Sequence, residues 1–373
     1  MANPPINFGT YAANPPRSLL LKAEKWLDFV NKKEVDPTVK RRDVLERGWM
    51  LYALIEMESM LHGRWTHWEN TMAINALVDS SHIPFMTIDE PIPQIDFEDS
   101  PNPKVMKMLG RCLDAIPQYG GWQGWSSTTY LQFFADWLLF AFGHQSQLEM
   151  PEDPSGCEGA SDRLYQLFCL DAMLVHPRDY FGDLLSETAY GRQNAFYPTP
   201  HNLCNLMTSI TMGGLEGGDD ERALRTKSVL DPCTGTGRLL LHASNFSYYC
   251  IGQDIDLLLL KFALCNFYLY APFVARPIPK LTGNTLFWGN ALIPGDEKGI
   301  NDGSFWYQMK AVSRHISDNA TDESGDTEFD ENDWWRCAPL LKRRPKGEAA
   351  SDTKGKKKTK TRKKSKPKGF KTP

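Results

Sequence analysis

The chain has 373 residues, 41% hydrophobic and 24% charged, which fits one large or two ordinary soluble domains and excludes a collagenous or wholly disordered protein. Its eight cysteines are scattered with no CxxC pair, which excludes a zinc ribbon and a disulfide framework and points to a reducing, cytoplasmic setting. The net charge of −4 hides an asymmetry: from Lys342 onward there are 15 Lys and Arg against 2 acids, leaving 27 basic and 44 acidic residues in the remainder.

Residues 1–17 are rich in Pro, Asn and Ala and read as irregular, with no basic n-region and apolar core of a signal peptide. Leu19 to Val30 reads as a helix with Ser18 as its N-cap, Asp43 to Leu61 as a longer one and Trp68 to Val78 as a third. Prolines and acids mark 81–104 as a long loop, and Gly120 to Trp125 as another break. Tyr130 to Phe142 is the longest apolar run. Gln132 and Asp136 interrupt it, and it is too short to span a bilayer, so no membrane partner is expected. Pro151 to Gly159 reads as a linker and Arg163 to Leu174 as a helix. Residues 1–175 therefore form an α-helical N-terminal region.

The character then changes. Phe196-Tyr197-Pro198-Thr199-Pro200 is stiff, because each proline fixes its own φ and restricts its predecessor. A helix follows over His201 to Met212. Ser228-Val229-Leu230 reads as a buried strand running into Asp231-Pro232-Cys233-Thr234-Gly235-Thr236-Gly237 and then the helical run Leu239-Leu240-Leu241. A strand, a glycine turn and a helix make half of a nucleotide-binding βαβ unit. Tyr248 to Ile255 reads as the second strand, with Asp254 at its end, and Asp256 to Tyr270 as an apolar helix. Pro279 to Gly283 is a candidate third strand and Gly303 to Val312 a candidate fourth. The α/β part spans 176–316, the acidic linker 317–340 and the basic tail 341–373, neither of the last two expected to fold alone.

A lone GxG turn is weak evidence. Here it opens with Asp-Pro, lacks the third glycine of dinucleotide binders and is followed 23 residues on by Asp254. An acid in the turn repels phosphate and suits a cationic or hydroxyl-bearing ligand, which counts against a nicotinamide-dependent oxidoreductase. Taken singly, Asp254 reads equally well as a helix N-terminal acid, and FYPTP as a rigid linker.

In order and spacing, FYPTP at 196–200, DPCTGTG at 231–237, GQDID at 252–256 and GNTL at 283–286 resemble the N6-adenine DNA methyltransferases, in particular the modification subunits of type I restriction-modification systems. The run DYFGDLL at 179–185 is similar to those subunits' helical lead-in. The resemblance covers about 178–290 and implies a Rossmann-like, S-adenosylmethionine-dependent methyltransferase domain, its sheet truncated, preceded by the α-helical region. It implies that Asp231, with Pro232 and the backbone of Thr234, Gly235 and Gly237, holds the methionine end of S-adenosyl-L-methionine. Asp254 and Ile255 would hold the ribose side, Asn284 and Thr285 the adenine side, and Phe196, Tyr197, Thr199 and Pro200 would line the methionine side.

The family's catalytic [DNS]-P-P-[FYW] tetrapeptide does not follow Asn284. The only Asn-Pro-Pro runs start at Asn3 and Asn14 and continue with Ile6 and Arg17, so no catalytic residue is assigned. The resemblance implies DNA as a partner, reached through the Lys354 to Lys371 tail, and a specificity or second methylase subunit. The alternative is a catalytically inactive relative that keeps the cofactor fold.

Overall fold

The computed structural model describes residues 17–77, 91–117, 127–194, 196–213, 221–275, 285–293 and 297–300. The chain divides into Met1–Leu340 and Leu341–Pro373, and every described residue belongs to the first unit.

Nine helices precede the FYPTP segment among these residues: α1 (Arg17–Val30), α2 (Leu51–Leu61), α3 (Arg64–Leu77), α4 (Pro103–Asp114), α5 (Ser127–Ala141), α6 (Ala160–Leu167), α7 (Leu170–Val175), α8 (Tyr180–Glu187) and α9 (Ala189–Gln193). Helix α1 buries Ala23, Leu27 and Val30 at helical spacing, and Ser18 lies inside it instead of capping it. The single helix expected over 43–61 is divided. Gly48 takes φ 78° and donates its N–H to Phe140 O at 2.8 Å, so the chain turns onto the end of α5 before α2 begins. The helix expected over 163–174 is likewise two, because Phe168 and Cys169 are extended. Phe168 is buried there, with its ring 6.2 Å from Phe134 and 6.0 Å from Trp137.

Helix α4 starts at the end of the stretch expected to be a loop. Asn102 caps it by accepting from Lys104 N–H at 2.9 Å, and Pro103 occupies its first turn, where a missing N–H costs nothing. Val105, Met108, Leu109, Cys112 and Leu113 form its buried face.

After α10 (His201–Thr208), a π turn (Ser209–Gly213) and α11 (Glu221–Arg225) come β1 (Ser228–Asp231), α12 (Arg238–Ala243), β2 (Tyr249–Asp254), α13 (Leu257–Tyr270), α14 (Pro272–Ala275), β3 (Leu286–Trp288) and β4 (Lys298–Gly299). The sheet order is β1-β2-β3-β4. The first two pairs are parallel and β3–β4 is antiparallel. The fold is thus mixed α/β, a small, partly parallel sheet among many helices. Strand β3 starts at Leu286. The candidate strands at 279–283 and 303–312 fall outside the described residues, as do the acidic linker and basic tail.

Helix α13 is the structural centre. Asp256 caps it, accepting from Leu258 N–H at 2.9 Å, and every residue from Leu258 to Tyr270 is buried. A helix apolar on all sides belongs inside a core. On α5 it meets Asp136, which accepts from Lys261 Nζ at 2.6 Å, so the one charge on α13 is paired. One hydrophobic core runs from Ala23 to Ile300. The boundary near residue 175 is therefore a change of secondary structure with the same core on both sides. No helix among the described residues is long and apolar enough to cross a membrane.

Candidate functional site

Strands β1 and β2 are paired with Asp231 opposite Gly252, so Asp231 and Asp254 both lie at the carboxyl ends of adjacent parallel strands. The chain leaves β1 through a turn in which Gly235 has φ 54° and Gly237 φ 82°, a conformation that strains any residue bearing a Cβ. Space forbids one as well: a Cβ on Gly237 would come within 2.6 Å of the Phe267 ring, and one on Gly235 within 3.1 Å of the Phe196 ring.

The turn is tied to β2 by two bonds. Gly235 N–H donates to Asp254 Oδ2 at 2.8 Å, and Thr234 N–H to Gln253 O at 3.0 Å. Asp254 Oδ1 accepts from Asp256 N–H at 2.9 Å, and Asp231 Oδ1 from Cys233 N–H at 3.1 Å. Burial raises the Asp231 carboxyl above its usual 3.8; the Cys233 N–H opposes this and the charge of Asp254 adds to it. Burial likewise raises Asp254, against the N–H groups of Asp256 and Gly235. Two carboxylates that disfavour each other's ionisation gain most from a cation or from hydroxyl donors.

Of the other residues named from sequence, Phe196 faces Gly235 and its N–H donates to Gly191 O at 2.9 Å. Tyr197 is 81% exposed. Thr199 presents its carbonyl to Arg238 Nη1 at 3.2 Å, and Pro200 starts α10. Pro232 is exposed. Thr234 is buried, its Oγ1 without a hydrogen-bond partner. Ile255 is exposed, and its carbonyl accepts from Trp288 Nε1 at 2.9 Å. Thr285 is fully buried at the amino end of β3, its hydroxyl donating to Val274 O at 2.6 Å, and so is not brought into the crevice. Asn284 lies outside the described residues.

Sequence reasoning missed two features. Gly289-Asn290-Ala291-Leu292 repeats the G-N-x-L pattern of 283–286 at the carboxyl end of β3. There Gly289 N–H donates to Asp254 O at 3.0 Å, which sets Asn290 at the crevice end of the sheet. The repeat is visible in the sequence, but nothing in it says which copy follows the strand.

The second is a buried polar anchor behind the turn. The Asp179 carboxylate, wholly buried, accepts from Thr236 Oγ1 (2.6 Å), Arg238 Nε (3.0 Å), Asn266 Nδ2 (2.7 Å) and Gly182 N–H (2.7 Å). Arg238 also reaches Asp183 at 2.7 Å, and Arg178 grips the same carboxylate at 2.6 Å. Burial would lower Arg238, but Asp179 and Asp183 hold it above its ordinary value. One signal was available, an arginine opening the apolar helix RLLLHA.

Among the described residues no group of three or more His, Cys, Asp or Glu side chains is placed to hold a metal. A shallow cavity of about 330 Å³ lined by Gly110, Leu113, Leu184 and Arg192 contains none of the residues named above. No family model, no curated protein and no solved structure matches the chain.

Proposed function

We propose that the crevice at the carboxyl ends of β1 and β2 binds S-adenosyl-L-methionine, as part of a Rossmann-like methyltransferase domain whose sheet is truncated. The observation that carries the reading is the coupling of Asp231 and Asp254 through the glycine turn. Two raised carboxylates share one concave end of a parallel sheet, where α/β folds bind ligands, and Phe196 closes over Gly235. An ammonium group beside Asp231 and ribose hydroxyls on Asp254 would relieve both. Asn290 replaces Asn284 as the adenine-side contact, because it stands at the right end of β3.

The wider function is adenine-N6 DNA methylation, carried out as a modification subunit. The catalytic tetrapeptide is absent after 284, so this chain supplies the cofactor end, and DNA is engaged by the 354–371 lysines. The test is calorimetry of the full chain with S-adenosylmethionine and, separately, NAD. Binding of the first and not the second supports the reading. The reverse, or no binding of either by folded protein, removes it. Labelled methyl transfer to unmethylated DNA then separates an active subunit from a silent one.

A further inference from the structure

Helix α10 is apolar on two opposite sides. His201, Cys204 and Thr208 are buried, with His201 Nδ1 2.9 Å from His242 Nε2 on α12. On the far side Leu203, Leu206, Met207 and Ile210 are exposed at i, i+3, i+4 and i+7, Leu206 at 54% and Ile210 at 66%. A surface helix ordinarily shows polar residues there. No Asp, Glu, Lys or Arg occurs anywhere from 193 to 215. Helix α10 packs on α12, and α12 on β1. Strand β1 is the end strand of the sheet among the described residues, and its Leu230 is 61% exposed. An edge strand with an exposed leucine, next to an uncharged apolar helix face, is a surface built to be covered.

We infer that a second copy of this chain covers it, in a two-fold dimer that pairs β1 with β1 antiparallel and packs α10 on α10. Charge selects the occupant. Outside the basic tail the chain carries 27 basic and 44 acidic residues, so most faces repel a copy, whereas an uncharged apolar face is complementary to itself. The pleat then fixes the register. Directly opposed residues share a face, so a two-fold axis must pass through a residue pair, and placing it at Leu230 sets that exposed side chain against its own copy. The two sheets become one of eight strands. The inference goes beyond the proposed function and does not depend on what fills the crevice.

The test is sedimentation equilibrium of the full chain over a wide concentration range. The expected species has about twice the chain's 42.4 kDa. The double variant Leu206→Lys/Ile210→Lys, at exposed positions where the fold loses no core, should weaken the dimer by roughly 100-fold with unchanged circular dichroism. Trp26→Lys, on the exposed apolar part of α1, should leave it intact. Hydrogen exchange at 228–231 should slow as the dimer forms. A chain that stays monomeric at every concentration, or a dimer indifferent to the double variant, overturns the inference. S-adenosylmethionine binding is titrated in the same samples. A dimer without cofactor binding sinks only the proposed function, and cofactor binding by a monomer sinks only the dimer.

Discussion

Replacing Asp179 by Asn tests whether the glycine turn is held from behind. The side chain keeps its shape, but a carboxylate that accepts four hydrogen bonds becomes an amide with one accepting oxygen and an NH2 group facing donors. The bonds to Gly182 and Asn266 converge on Oδ1, those of Thr236 and Arg238 on Oδ2, so either orientation of the amide leaves two donors unmatched. A buried donor without a partner costs about 1–3 kcal/mol. Arg238 keeps Asp183, which limits the loss of charge pairing. The expected destabilisation is roughly 2–4 kcal/mol, a large part of the ~5–15 kcal/mol that holds a domain together. Urea unfolding followed by tryptophan fluorescence measures it. A loss below about 0.5 kcal/mol, the range of an ordinary surface substitution, would refute the anchoring role.

Gly237→Ala combines a left-handed φ of 82° with a Cβ driven into the Phe267 ring, and should cost roughly 2–5 kcal/mol in the same unfolding assay; a neutral result would mean that the turn rearranges freely. Acid should unfold the protein early. Burial lowers His67 and His242 to about 4 and His144 to about 3, and it lowers His201 as well. These rings take up protons near pH 6.5 in the unfolded chain but not in the folded one, so stability falls as pH drops below 6.5, by roughly 1–2 kcal/mol per ring at pH 5. His176, raised by the Glu98 hydrogen bond, acts the other way: its contribution is full below pH 6.5 and is lost as pH rises through its folded value. A urea midpoint unchanged between pH 7 and pH 5 would contradict the sum, four rings against one. Deleting residues 354–373 should flatten the salt dependence of DNA binding, by about 0.9 in log–log slope for each phosphate that the tail had neutralised; an unaltered slope would exclude the tail from the DNA interface.

The parts of the molecule that were legible in the sequence are those that local chemistry decides. The Asp-Pro opening, the paired glycines and the apolar run after them fixed the strand, turn and helix at 228–243 within a few residues. Helix α13 was legible because its apolar run is long and Asp256 caps it. What failed depended on partners far along the chain. The helix over 43–61 breaks because Gly48 is drawn to Phe140, and the one over 163–174 breaks because Phe168 joins a cluster built by α5. Helix α4 carried a local signal, Asn102-Pro103, which the surrounding prolines and acids hid. The Asp179–Arg238 pair spans 59 residues, a separation over which no periodicity acts. The adenine-side residue was placed one repeat too early, since a three-residue β3 leaves no pattern to choose between 283–286 and 289–292.

Cofactor binding at the crevice stands or falls on the pair of carboxylates at the ends of β1 and β2. Equilibrium dialysis of labelled S-adenosylmethionine against the folded wild type and Asp254→Asn addresses them directly. The expected result is saturable binding by the wild type and an affinity at least about tenfold lower in the variant, from the weakening of charged hydrogen bonds to two hydroxyls. Equal affinity in both proteins, or none in either, would contradict it.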